Sequence, residues 1–133
     1  MAHPAIAALD NALAANSEEI ILRRIVGATV ATQQFVDCPR ILANVRGMNA
    51  QELAAGIDQN SLYCIFSPTR INETQWPGGQ LPGGMVDPRV PSKNRGDRAY
   101  VGGAWRRVEW ADGITARMGG VTELVRIEMR VLG

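Results

Sequence analysis

The sequence predicts a mainly β fold: a small antiparallel β-barrel carrying a short N-terminal helix, one short internal helix and a long Pro/Gly-rich loop. Three observations point there. Apolar residues alternate along most of the periodic segments, as they do on strands with one buried face. Glycine pairs stand between such segments, where tight hairpins need positive φ. No helical pattern separates the late strands, which argues against the crossovers of a parallel sheet.

Pro4 to Ala15 places Ile6, Leu9 and Leu13 at three- and four-residue spacing behind an initial proline, the pattern of an amphipathic helix. Asn16-Ser17 ends it. From Glu18 to Thr32, Ile20, Leu22, Val26, Ala28 and Val30 fall on one side of a long strand, Arg24 interrupts that face and Gly27 offers a bend. Phe35 to Arg46 reads as a second strand, with Ile41, Ala43 and Val45 opposed to Leu42, Asn44 and Arg46, and with Pro39 favouring an edge or a bulge. Asn49 caps a short helix with Glu52 three residues on, and Gly56 stops it. Leu62 to Phe66 predicts a buried strand ended by Ser67-Pro68.

Residues 68–97 hold five of the seven prolines and the pairs Gly78-Gly79 and Gly83-Gly84, almost without periodicity, which predicts a long loop. Arg98 to Val101 and Ala104 to Trp110 then flank Gly102-Gly103 as a hairpin. Asp112-Gly113 predicts another turn. After Gly119-Gly120, Val121, Val125, Ile127, Met129 and Val131 alternate with Thr122, Arg126, Glu128 and Arg130 in a final strand, one face buried and one wet. The plan is a single domain over 1–133, with a helix at 4–15, the barrel from 18–67 and 98–132, and the loop at 68–97.

A chain of 133 residues buries roughly two thirds of the surface its unfolded form exposes, enough for one core. Its 46% apolar and 20% charged residues are near the average for soluble domains. No apolar run approaches the ~20 residues of a membrane span, so no membrane partner is expected. The first residues lack the basic patch and apolar stretch of a secretory signal, so synthesis in a cytoplasm is expected. Cys38 and Cys64 lack zinc-like spacing and read as two reduced thiols. A net charge of +1 removes the global positive field of a dedicated nucleic-acid binder. Residues 1–67 hold four basic and six acidic side chains and residues 68–133 hold ten and seven, a shift from −2 to +3 that a solvated surface explains.

The only histidine, His3, stands beside the amino terminus, away from any serine or cysteine it would have to activate, so no catalytic triad is expected. Glu109, Asp112 and Glu123 are the carboxylates a glycosidase reading would need, though on strands and turns such groups are usually surface charges. The glycine pairs match no phosphate loop, and no cofactor or metal is implied. Trp105 and Trp110 are expected in the core of a small barrel, and Trp76, beside Pro77 in the loop, as the exposed contact residue. Arg70, Arg89, Lys93, Arg95 and Arg98 are the candidate loop contacts for DNA or a partner, of a kind that binds phosphate without sequence preference. Arg126, Glu128 and Arg130 form the wet face of the last strand or pair with a neighbouring subunit.

The order of segments carries a further signal. An Arg23-Arg24 pair on the first long strand is followed by Val45-Arg46-Gly47 leading into Glu52-Leu53, then by Gly56-Ile57-Asp58-Gln59 and Ser67-Pro68-Thr69-Arg70-Ile71. The loop with Trp76-Pro77 comes next, and Gly103-Ala104-Trp105-Arg106-Arg107-Val108 precedes the closing strand. Over about residues 18–132 this resembles the small head-tail connector proteins of long-tailed bacteriophages and gene transfer agents, of the head-closure or stopper type. The N-terminal helix lies outside the resemblance. It implies a small β-barrel with a long loop, placed in the neck of a virion as a homo-oligomeric ring of twelve- or six-fold symmetry. The implied partners are portal-adaptor proteins, tail proteins and packaged double-stranded DNA. The rival readings are a tail-terminator ring, a single-stranded nucleic-acid-binding barrel that stacks bases on Trp76, and a small carbohydrate-active enzyme.

Overall fold

The computed structural model describes residues 3–26, 30–77, 87–93 and 96–133. Among them the elements run α1 (Pro4–Ala15), β1 (Glu18–Val26), a 3-10 turn (Val30–Thr32), β2 (Gln34–Arg46), α2 (Ala50–Ala54), β3 (Leu62–Phe66), α3 (Thr69–Thr74), β4 (Arg98–Val101), β5 (Ala104–Met118) and β6 (Val121–Leu132). The six strands close into an antiparallel barrel in the order β1-β2-β3-β6-β5-β4, as the alternating pattern predicts. Ile20, Leu22, Ile41, Phe66, Val101, Val108, Ile127, Met129 and Val131 fill its interior.

Pro39 sits in a bulge. Between Ile20↔Ile41 and Leu22↔Cys38, β2 carries an extra residue, and Arg40 takes a φ of 61°. The hairpin turns at Gly102-Gly103 and Gly119-Gly120 have φ of 60°/83° and 60°/80°, the paired positive values of a tight two-residue turn. Asn49 and Glu52 form the expected capping box on α2. His3 caps α1: its Nδ1 accepts from the Ala5 amide at 3.0 Å.

Four expectations are corrected. The first strand ends at Val26 rather than Thr32, with the 3-10 turn following, while Gly27 and Ala28 lie outside the described residues. Asp112-Gly113 is not a turn but mid-strand, paired with Glu128 and Ile127. Gly113 is needed there because a Cβ would come within 2.8 Å of both Leu124 Cδ1 and Val90 Cγ2. Val121 is 65% exposed, because a bulge at Val125, between Ile114↔Arg126 and Thr115↔Leu124, moves Leu124 onto the buried face in its place. The stretch at 68–97 is not one loop: it contains a second internal helix, α3, and a buried tryptophan.

That last difference follows from strand lengths. β3 and β4 have five and four residues against 13, 15 and 12 for β2, β5 and β6. Beyond Phe66, β2 and β6 therefore continue without β3 between them; beyond Arg98, β1 and β5 continue without β4. Both gaps open at the same end of the barrel. Helix α1 packs on β2 and β6 across the first, its Asp10 carboxylate accepting from the hydroxyls of Ser67 and Thr69 just past β3. Helix α3 packs on β2 and buries Ile71. The segment at 87–92 runs through the second gap, where Val90 lies against Gly113.

Candidate interaction surfaces

Arg24, the residue that spoils the apolar face of β1, holds the second gap shut. Its guanidinium donates to both carboxylate oxygens of Asp97 at 3.1 and 2.8 Å, to the Pro88 carbonyl at 2.7 Å and to the Val90 carbonyl at 3.3 Å. The two charged side chains are 5% and 1% exposed. Asp97 also accepts from the Ser92 amide at 2.8 Å. The returning end of the predicted loop is thus pinned at several points by groups that water does not reach.

The tryptophans exchange the places expected for them. Trp76 is 3% exposed, in the core, with its indole N–H donating to the Val36 carbonyl at 2.8 Å and Arg24 stacked 4.8 Å from its ring centroid. It cannot serve as an exposed contact. Trp110 is 39% exposed and Trp105 partly exposed, both on the outer wall. A period-two strand leaves the face of an aromatic to be decided by its neighbours, and the bulge between Val108 and Trp110 sets Trp110 outward.

The loop cations do not converge. Arg70 is on α3, donating to the Pro39 carbonyl at 3.2 Å and paired with Glu73. Arg89 is clamped by Asp87 and reaches Asn72 on α3 at 2.9 Å. Lys93 is exposed, and Arg98 is exposed at the start of β4. Arg95 lies outside the described residues.

Arg126, Glu128 and Arg130 fall together with Arg46 and Tyr63, which sequence reasoning did not place on a contact face, and with the outward-turned Trp110. Cross-strand pairing sets Arg46, Tyr63, Arg130 and Trp110 in one outer row, and Asn44, Ile65, Glu128 and Asp112 in the next. Arg46 stacks 4.4 Å from the Tyr63 ring centroid, and Tyr63 and Trp110 are 6.2 Å apart. Among the described residues Arg126 and Arg130 make only long ion pairs, to Glu128 at 3.6 Å and to Glu109 at 3.5 Å. The Tyr63 hydroxyl donates to Glu128 at 2.6 Å; burial, and then this bond, push the phenol up to about 12. Because the folded value lies above the ordinary one, the stabilisation it gives is complete below pH ~10 and is lost as pH climbs toward 12. Alkaline titration followed by phenolate absorbance should show one late step, absent in Tyr63→Phe, and Tyr63→Phe should lose less stability over that window.

From this face the β5–β6 hairpin runs past the ends of β4 and β1. Measured from the Arg23, Arg98 and Arg107 row, β1 continues three residues to Val26 and β5 eleven to Met118, whereas from the Ala43, Phe66 and Ile127 row β2 continues nine to Gln34 and β6 six to Val121, the stagger of tilted barrel strands. Ile114, Met118 and Val121 share the hairpin's outer side at 36%, 49% and 65% exposure.

Among the described residues no group of three or more histidines, cysteines or carboxylates could hold a metal. Cys38 and Cys64 are free and buried, and burial pushes the Cys64 thiol up to about 12. Glu109, Asp112 and Glu123 point to separate tasks: Glu109 accepts from Ser61 at 2.6 Å, Asp112 is exposed, and Glu123 accepts from the His3 amide at 2.8 Å. Compared with protein-family models, curated proteins and solved structures, the chain matches none at a significant level.

Proposed function

We propose that the chain is a structural connector of a phage-like particle, a head-closure protein forming a ring around the DNA channel between portal-adaptor and tail proteins. The observation that carries the reading is the outer side of the β5–β6 hairpin, which leaves Ile114, Met118 and Val121 exposed together. A barrel without free edges along its girdle meets neighbours through faces and projections rather than by adding strands. A projection on one subunit that docks against a different patch on the next is a heterologous contact, which closes into a ring when the rotation is right. The face of Arg126, Glu128 and Arg130, charged in both senses and set beside Trp110 and Tyr63, suits such a contact. The order of segments described above supports the same reading. A tail-terminator ring fits the hairpin as well. The single-stranded reader is weakened because Trp76, its stacking residue, is buried.

Imaging of particles that contain the protein tests this. The expected density is a ring at the junction of head and tail, with the β5–β6 hairpin against the neighbouring copy. The pair Met118→Lys and Val121→Lys should fold normally by circular dichroism yet lower the copies per particle at least tenfold. Density elsewhere in the particle, or undiminished incorporation of that variant, would refute the proposal.

A further inference from the structure

Three arginines stand in one cross-strand row on the outer face of β1, β4 and β5: Arg23 pairs with Arg98, and Arg98 with Arg107. Asp37 on β2 continues the row and forks onto Arg23 through bonds of 2.8 and 2.9 Å. Arg98 and Arg107 are exposed and have no side-chain ion pair or hydrogen bond among the described residues. Like charges directly opposite one another destabilise a sheet, and here they sit on strands about 4.8 Å apart. A fold that keeps such a row at a cost to itself is using it for something outside the subunit.

The adjoining row is aromatic. Tyr100 faces Trp105, the rings edge to face at 5.3 Å, and Arg23 is stacked 3.9 Å from the Trp105 ring centroid and 4.5 Å from that of Phe35. Asn60, Arg98, Trp105, Arg107, Leu132 and Gly133 line an open recess of about 590 Å³ beside the two unpaired arginines. The one side-chain carboxylate in the row, on Asp37, is already taken by Arg23. Arginine forks suit phosphate and carboxylate alike, but arginines interleaved with aromatic rings fit a ligand that alternates charge with flat apolar surface, which is nucleic acid.

We infer that this face binds the phosphodiester backbone of DNA, with Arg98 and Arg107 taking phosphate oxygens and the Trp105 edge of the recess receiving the adjoining sugar or base. The inference deepens the connector reading and rests on it only for where DNA is met. It moves the contact from the loop ends, where Arg70 and Arg89 are committed within the chain, to a strand face.

Titration of the isotopically labelled full chain with a short DNA duplex at low salt, read by nuclear magnetic resonance, tests it. The side-chain Nε–H signals of Arg98 and Arg107 and the indole N–H of Trp105 should shift. The affinity should fall with salt at a slope of about −1.8, two phosphates at roughly −0.9 each. The Arg98→Ala and Arg107→Ala double variant should lose the shifts and most of the slope, while Arg70→Ala with Arg89→Ala keeps both. Absence of shifts, shifts confined to other faces, a slope retained in the double variant, or a stronger response to a poly-glutamate peptide would each overturn the assignment. A ring seen in particles together with a failed titration would retire this face alone, whereas a successful titration with no ring would retire the connector and leave the DNA site.

Discussion

Asp97→Ala is expected to lower the stability of the domain by about 3–5 kcal/mol, the range seen when one partner of a buried ion pair is removed. The carboxylate is 1% exposed and accepts two bonds from Arg24 and one from the Ser92 amide. Without it, the Arg24 guanidinium stays in a dry gap with the Pro88 and Val90 carbonyls and the Trp76 ring as its remaining partners among the described residues. Against a total stability of about 5–15 kcal/mol for ordinary domains, the loss is a large fraction. Urea unfolding, with a slope of ~1–3 kcal/mol per molar, should show a midpoint at least about 1 M lower. The paired change Arg24→Met with Asp97→Leu should cost much less, because a buried pair replaced whole by apolar groups leaves no charge behind. If the double change is as damaging as Asp97→Ala, the latch is not electrostatic.

This latch shows where sequence reading stops. The strands were legible because burial of one barrel face imposes period two, visible from Ile41 to Arg46 and from Val125 to Val131. The capping box at Asn49 and Glu52 and both glycine turns are local chemistry and were legible too. Arg24 and Asp97 are 73 residues apart, and nothing near either marks the other. Helix α3 lies between Pro68 and Pro77, and prolines on both sides of so short a run read as loop. Gly113 reads as a turn in sequence because a glycine required by a close approach looks the same there as one required by positive φ. Of the interaction surfaces, Arg126, Glu128 and Arg130 could be placed on one face by alternation alone. Arg98 was visible as a cation, but its alignment with Arg23 and Arg107 is a matter of register between strands distant in the chain.

Trp76→Ala is expected to cost a similar ~3–5 kcal/mol, the usual range for removing a buried aromatic and leaving a cavity. The indole occupies the end of the barrel left open by the short β3 and β4, touching both repairs: it follows α3 and stacks on the Arg24 that holds 87–92. Its removal strands the Val36 carbonyl, which takes the indole N–H at 2.8 Å, and exposes the buried guanidinium to the new void. Trp76→Phe keeps most of the packing and deletes the N–H, so its smaller loss isolates the hydrogen bond, on the order of 1 kcal/mol. Since Arg24 and Trp76 are in contact, their losses should not add. A double-mutant cycle of Arg24→Met with Trp76→Ala should give a coupling of about 0.5–3 kcal/mol by urea unfolding. Strict additivity would mean that the two gaps are closed independently, and the barrel end would then be two separate repairs rather than one plug. Coupling instead ties α3 and the segment at 87–92 to the core through one shared contact.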